Sequence, residues 1–255
     1  MQFLSESLAG GILERLFKLE VNGESVPGVL WTPAGSPKNL PLLPMGHGGG
    51  QHKKFVGVAN RAQRYVKDFG FAVAAIDAPG HGERVRSEQD AAFVTALQQK
   101  MAEGQPVEDL VAREMSRLAE RAVPEWQATL DAVQSLDEIG AAGPVGYWGL
   151  SMGGAIGVYL VAVEPRISAA VLGLVGLPPN FEALSAAAAG ITVPVEFVLQ
   201  WDDELVPRPS GIALFNALGS QEKTLHANPG VHMAVPRWET ESWERFFKRN
   251  LVKSL

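Results

Sequence analysis

The chain has 255 residues, with 22 basic and 28 acidic side chains, a formal net charge of −6, 46% hydrophobic residues and no cysteine. That balance excludes a disordered chain, and the lack of clustered Lys and Arg speaks against a nucleic-acid partner. Without cysteine there can be no disulfide, thiolate metal site or thiol nucleophile, and the length suits one α/β domain spanning residues 1–255.

Residues 1–20 lack a basic start followed by a long apolar run, because Glu6 and Glu14 interrupt them, so no signal peptide is expected. No stretch reaches the roughly 18 continuous apolar residues of a membrane span. A cytoplasmic protein without membrane contact is the expectation.

Leu16–Val21 and Val26–Trp31 are apolar runs joined by Asn22-Gly23, which predicts an antiparallel hairpin at one edge of a sheet. Pro41–Met45 reads as a strand that ends in glycines. Phe55, Val58, Ala59, Ala62, Tyr65, Val66 and Phe69 then recur at helical spacing. Phe71–Ile76 is a short continuous apolar run, as expected of a parallel strand buried on both faces. Residues 87–118 break the rhythm. They are helical in composition and polar on most turns, and we read residues 85–122 as a small helical cap inserted over the sheet. Pro144–Gly149, Ala169–Val175 and Val193–Leu199 are further strands, with a helix starting at Met152 and another through Trp238 and Phe247. Alternation of this kind predicts a mostly parallel, doubly wound α/β sheet with an antiparallel N-terminal edge.

The strongest chemical signal is Gly149-Leu150-Ser151-Met152-Gly153, set between a predicted strand and a predicted helix. A nucleophilic serine on such a sharp turn needs small neighbours, and the helix start leaves backbone N–H groups free to face an oxyanion. A hydroxyl also needs a base. His47, His52, His81, His226 and His232 are the five histidines. His232, in a loop before the last helix, is favoured by its place in the chain, with His226 as the rival. An acid must orient that base, and Asp202, Asp203 and Glu204 follow a predicted strand together. Two backbone donors should hold the oxyanion: the N–H of Met152 and one from His47-Gly48-Gly49-Gly50, with Gly48 and Gly49 the candidates. Trp148 and Trp201 stand near the nucleophile and the acid and are candidates to line the substrate pocket. Arg84, Arg86 and Arg208 read as solvated surface groups.

These residues resemble the α/β-hydrolase superfamily, in its dienelactone-hydrolase-like and acyl-esterase-like branch, over about Val26 to Phe247. His47-Gly48-Gly49-Gly50 resembles its oxyanion loop, and Asp77 to Arg84 resembles a strand-end turn whose Asp77 and His81 are structural. Asp203-Glu204-Leu205-Val206-Pro207 resembles its acid motif and Gly230-Val231-His232 its base motif. The resemblance implies a Ser151, Asp203, His232 triad without metal or organic cofactor. Dienelactone hydrolases use a cysteine nucleophile, so a serine here implies an ordinary small-molecule carboxylic ester, cleaved through an acyl-enzyme. Acyl transfer, thioester hydrolysis and C–C bond cleavage are alternatives on the same scaffold, as is, from another class, a non-catalytic binding protein. The expected partner is a small-molecule ester, and a homodimer is admitted as an assembly.

Overall fold

The computed structural model describes residues 1–35 and 38–252. Among them, nine strands form one sheet in the order β1-β2-β3-β5-β4-β6-β7-β8-β9. The strands are β1 (Gln2–Ala9), β2 (Ile12–Val21), β3 (Glu24–Pro33), β4 (Leu42–Gly46), β5 (Ala72–Ile76), β6 (Val145–Leu150), β7 (Ile167–Gly173), β8 (Val195–Gln200) and β9 (Lys223–Asn228). Pairing is antiparallel from β1 to β3 and between β3 and β5, then parallel to the far edge.

Burial follows the patterning. Every residue of β4, β5, β6 and β8 is buried, which is why β4, β5 and β6 are continuous apolar runs with no polar alternation, while β8 buries Glu196 and Gln200 among its apolar residues. The helices are α1 (Val56–Phe69), α2 (Glu88–Ala102), α3 (Glu108–Gln134), α4 (Met152–Val163), α5 (Glu182–Gly190), α6 (Arg208–Ala217) and α7 (Trp238–Leu251). They cover both faces. Tyr65 of α1 and Phe247 of α7 pack with Val73 and Val171 on one side. On the other, Trp126 of α3, Val158 of α4 and Leu214 of α6 pack with Tyr147 and Phe197. Two layers of helix around the parallel part of the sheet place the loops after β4, β5, β6, β8 and β9 at the carboxyl ends of the strands, where such sheets build their sites.

The hairpin is formed as expected, with Asn22 and Gly23 both at positive φ in its turn. Strand β1 was not foreseen. All eight of its residues are exposed, so no buried face imposed an alternation that the sequence could display. The predicted helical insertion is α2 followed by the first part of α3. Its expected end at residue 122 is not a break, however. Helix α3 runs on through Pro124 to Gln134, because Ala122, Trp126, Leu130 and Val133 supply an apolar stripe that buries against the core. Helix α2 starts with a capping box, in which Ser87 Oγ accepts the Asp90 N–H and Asp90 accepts the Ser87 N–H. Arg117 of α3 then binds Asp90, tying the two helices together.

Candidate active site

Ser151 stands between β6 and α4 with φ 57° and ψ −124°. Its N–H donates to the Gly173 carbonyl at 2.9 Å and its own carbonyl accepts from Ala155 N–H at 2.8 Å, so both backbone groups are committed. The tight bend depends on Gly153. A methyl there would sit 2.5 Å from the Gly46 carbonyl oxygen of β4, and neither backbone can yield cheaply.

The histidine loop after β9 reaches across to this bend. His232 is 3% exposed. Its Nε2 lies 2.8 Å from Ser151 Oγ and its Nδ1 2.7 Å from Asp203 Oδ2. A carboxylate accepts only, so Nδ1 carries the proton and Nε2 is left to accept from the hydroxyl. Asp203 is held in turn by the N–H groups of Leu205 and Val206, at 2.8 and 2.9 Å.

All three carboxylates of the acid run touch the histidine loop, each at a different atom. Asp202 accepts weakly from Gly230 N–H at 3.3 Å, Asp203 holds the ring, and Glu204 Oε2 accepts the His232 backbone N–H at 2.9 Å. Gln200, fully buried at the end of β8, donates to the Val231 carbonyl at 3.1 Å. Sequence reasoning missed both Glu204 and Gln200 as supports of this loop. His226, the rival base, instead bonds Glu239 at 2.8 Å.

Met152 begins α4, so its N–H has no intrahelical acceptor and lies next to the hydroxyl. Opposite is the His47–Gly50 loop. Gly48 N–H donates to its neighbour Gln51 Oε1 at 3.2 Å, and the Gly48 carbonyl accepts from His47 Nδ1 at 2.9 Å. His47 Nε2 accepts the Ala78 N–H at 3.1 Å. Burial is the main cause that lowers its pKa to about 4, against the Gly48 carbonyl, which favours the charged ring. Lys53 continues the same anchor. Its N–H and Nζ both donate to the fully buried Asp77 at 2.8 Å. Burial alone would raise the Asp77 pKa, but Lys53 and the N–H groups of Lys53 and Glu83 hold it below the usual carboxylate range. The glycine loop is thus fastened to the turn after β5 by one imidazole and one buried ion pair.

Ser151 and His232 open into a cavity of about 530 Å³. Its far wall is the inserted helix pair, through Phe93, Val94 and Leu97 of α2 and Val111 and Met115 of α3. Trp148 lines it, with the Arg61 guanidinium 3.9 Å from its ring centroid. Trp201 does not. It is 44% exposed and stacks under Arg208 on the surface, because the strand has ended and its side chain points outward. The reading of Arg84 as a solvated group is also corrected. Its side chain is 4% exposed and bonds the buried Glu125 at 2.6 Å. Arg86 lines the cavity.

No family model and no curated protein sequence matches the chain. Solved structures do. A cold-adapted esterase from an Arctic intertidal metagenomic library, solved with polyethylene glycol bound, is 37% identical with a TM-score of 0.79, over 98% of this chain and 100% of its own. A zinc-bound structure described in the same words is 35% identical with a TM-score of 0.74, at the same coverage. An acetyl xylan esterase from Paenibacillus sp. R4 is 16% identical with a TM-score of 0.73, over 98% of this chain and 88% of its own, a likeness of fold alone.

Proposed function

The chain belongs to the α/β-hydrolase superfamily, and on that footing we propose that it is a serine carboxylesterase acting on small apolar esters through an acyl-enzyme. One observation carries the reading: a single imidazole joins the Ser151 hydroxyl at 2.8 Å to the Asp203 carboxylate at 2.7 Å. The relatives at 35% and 37% identity, both described as esterases, support the same bond type.

The chemistry follows from the geometry. His232 Nε2 takes the proton of Ser151 as Oγ attacks the ester carbonyl carbon, while Asp203 stabilises the imidazolium without taking its proton. The carbonyl oxygen becomes an oxyanion facing the Met152 N–H and a second donor from the Gly48-Gly49 loop. Donors fixed in advance in this way are worth about 10² to 10³ in kcat each. The C–O bond to the alcohol breaks as His232 returns its proton to the leaving oxygen. Water, deprotonated by the same nitrogen, then attacks the acyl-enzyme and releases the acid. No step calls on a metal or organic cofactor.

The helix pair α2 and the first part of α3 act as a cap over Ser151. The apolar side chains they turn into the cavity, with Trp148, suit an aliphatic or aromatic acyl or alcohol group. Among the described residues no helix is long and apolar enough to cross a membrane. A cysteine-free chain fits the reducing cytoplasm as its place of action.

The test is hydrolysis of short p-nitrophenyl esters with covalent labelling by a fluorophosphonate. Wild-type protein is expected to turn over the esters and take up one label. Ser151→Ala should lose both, and retained turnover in that variant would end the proposal.

A further inference from the structure

A second polar cluster lies outside the hydrolytic machinery. Glu196 on β8, His226 on β9 and Glu239 in the first turn of α7 bring one donor atom each to within 4.8 Å of one another. Parallel register sets His226 opposite Val198, so Glu196 lies two residues back along β8 on the same face, beneath α7. His226 Nδ1 is 2.8 Å from Glu239 Oε2 and 3.6 Å from Glu196 Oε1.

The cluster is electrostatically incomplete. The Glu196 and Glu239 side chains are only 6% and 4% exposed. Glu239 Oε1 accepts from Asn228 at 2.8 Å. Glu196 Oε1, though fully buried and directed at the ring, has no hydrogen-bond partner among the described residues. An unpartnered buried carboxylate oxygen is costly, and Glu196 stands beside a second carboxylate with one imidazole between them, the Ser242 hydroxyl and the Arg245 charge being the other groups that favour its ionised form.

We propose that Glu196, His226 and Glu239 form a binding site for a divalent cation of the zinc type. Zinc takes imidazole nitrogen and carboxylate oxygen at about 2.0–2.2 Å, which puts tetrahedral donors roughly 3.3 Å apart. The present separations need only small side-chain shifts to meet that. Coordination uses the Nδ1 lone pair, so the proton now shared with Glu239 moves to Nε2 or to solvent. His226, with 28% of its side chain exposed, provides the entry path, and water completes the shell. The two ends of the cluster, His226 and Glu239, bracket the loop that carries His232. A bound cation would therefore fasten both roots of the catalytic loop while standing outside the reaction itself.

The test uses the full chain, stripped with EDTA and titrated with zinc sulfate against a chromophoric chelator. Imidazole nitrogen resonances and the melting temperature are followed in parallel. The wild type is expected to take up one zinc equivalent, with the His226 resonances shifted and those of His232 retained. At zinc about 100-fold above its Kd, Tm should rise by roughly 5 °C or more. Glu196→Gln, which is isosteric, should weaken zinc binding by about tenfold or more, and Ser151→Ala should leave it unchanged. Absence of uptake by the wild type, equal affinity in Glu196→Gln, or a shift confined to His232 would each overturn the proposal. Should Glu196→Gln not fold, the wild-type resonances decide.

Discussion

The carboxylate of Glu204 holds the backbone N–H of His232 at 2.9 Å, while its neighbour Asp203 holds that residue's ring at 2.7 Å. Two consecutive acids thus fix one histidine at two points, one setting where the loop stands and the other which tautomer it presents. Removing the Glu204 carboxylate in Glu204→Ala should lower kcat/KM by roughly 10- to 100-fold through displacement of the ring. Glu204→Gln keeps an accepting oxygen and should recover most of the activity. Steady-state rates on a p-nitrophenyl ester check this, and equal losses in the two variants would argue against a positioning role.

Asp203→Asn presents a different loss. The amide can leave the ring in place but favours the wrong tautomer, so kcat should fall by about 10⁴-fold with little change in Tm. Thermal melts beside kinetics separate this from unfolding.

The glycine loop depends on a buried ion pair. Lys53 and Asp77 are 4% and 0% exposed, and Asp77 also gathers the N–H groups of Lys53 and Glu83. Lys53→Met leaves an uncompensated buried carboxylate and should cost about 3–5 kcal/mol. Urea denaturation measures it, and a loss below about 1 kcal/mol would place the pair among the weak surface type.

His47 should make the fold acid-sensitive in a defined window. Its native pKa of about 4 lies below the ordinary 6.5 because burial favours the neutral ring. As pH falls below 6.5 the unfolded chain binds a proton that the native state refuses, so stability declines until about pH 4 and the His47 contribution then levels off. The full effect is about 3 kcal/mol. Unfolding free energies across this range should be flatter in His47→Gln than in the wild type by that amount. Parallel curves would remove His47 as the cause.

Met115 on α3 lines the cavity at the cap. Met115→Trp adds bulk there and should shift preference toward shorter acyl chains, the longer esters losing about 10-fold or more in kcat/KM. An ester chain-length series reads this directly.

Legibility in the sequence tracked burial. Strands β4 to β8 could be read because both faces are covered, leaving nearly uninterrupted apolar runs. Strand β1 could not, since Phe3, Leu4 and Leu8 lie exposed beside Ser5 and Glu6 and no buried face orders them. Ser151, Asp203 and His232, which the structure brings together, could be picked out because a strand-end serine between glycines, an acidic run after a strand and a Gly-x-His loop are local motifs. Glu204 and Gln200 hold the His232 loop through its backbone atoms, and Lys53 anchors the glycine loop through Asp77, a partner distant in the chain; such contacts leave no spacing to recognise. Trp201 misled because its place at a strand end does not say which way the ring points. Arg84 misled because Glu125, the partner that permits its burial, is 41 residues away.

Ser151 holds its hydroxyl aloft on a backbone angle that only glycine adopts without penalty. That posture costs a side-chain-bearing residue about 1–3 kcal/mol, more than the roughly 0.4–1 kcal/mol of extra unfolded-chain freedom that glycine would bring. Ser151→Gly should therefore yield a sturdier and inert protein. Selection for heat resistance alone would erode the proposed nucleophile, so any hunt for hardier variants has to screen for turnover at every round.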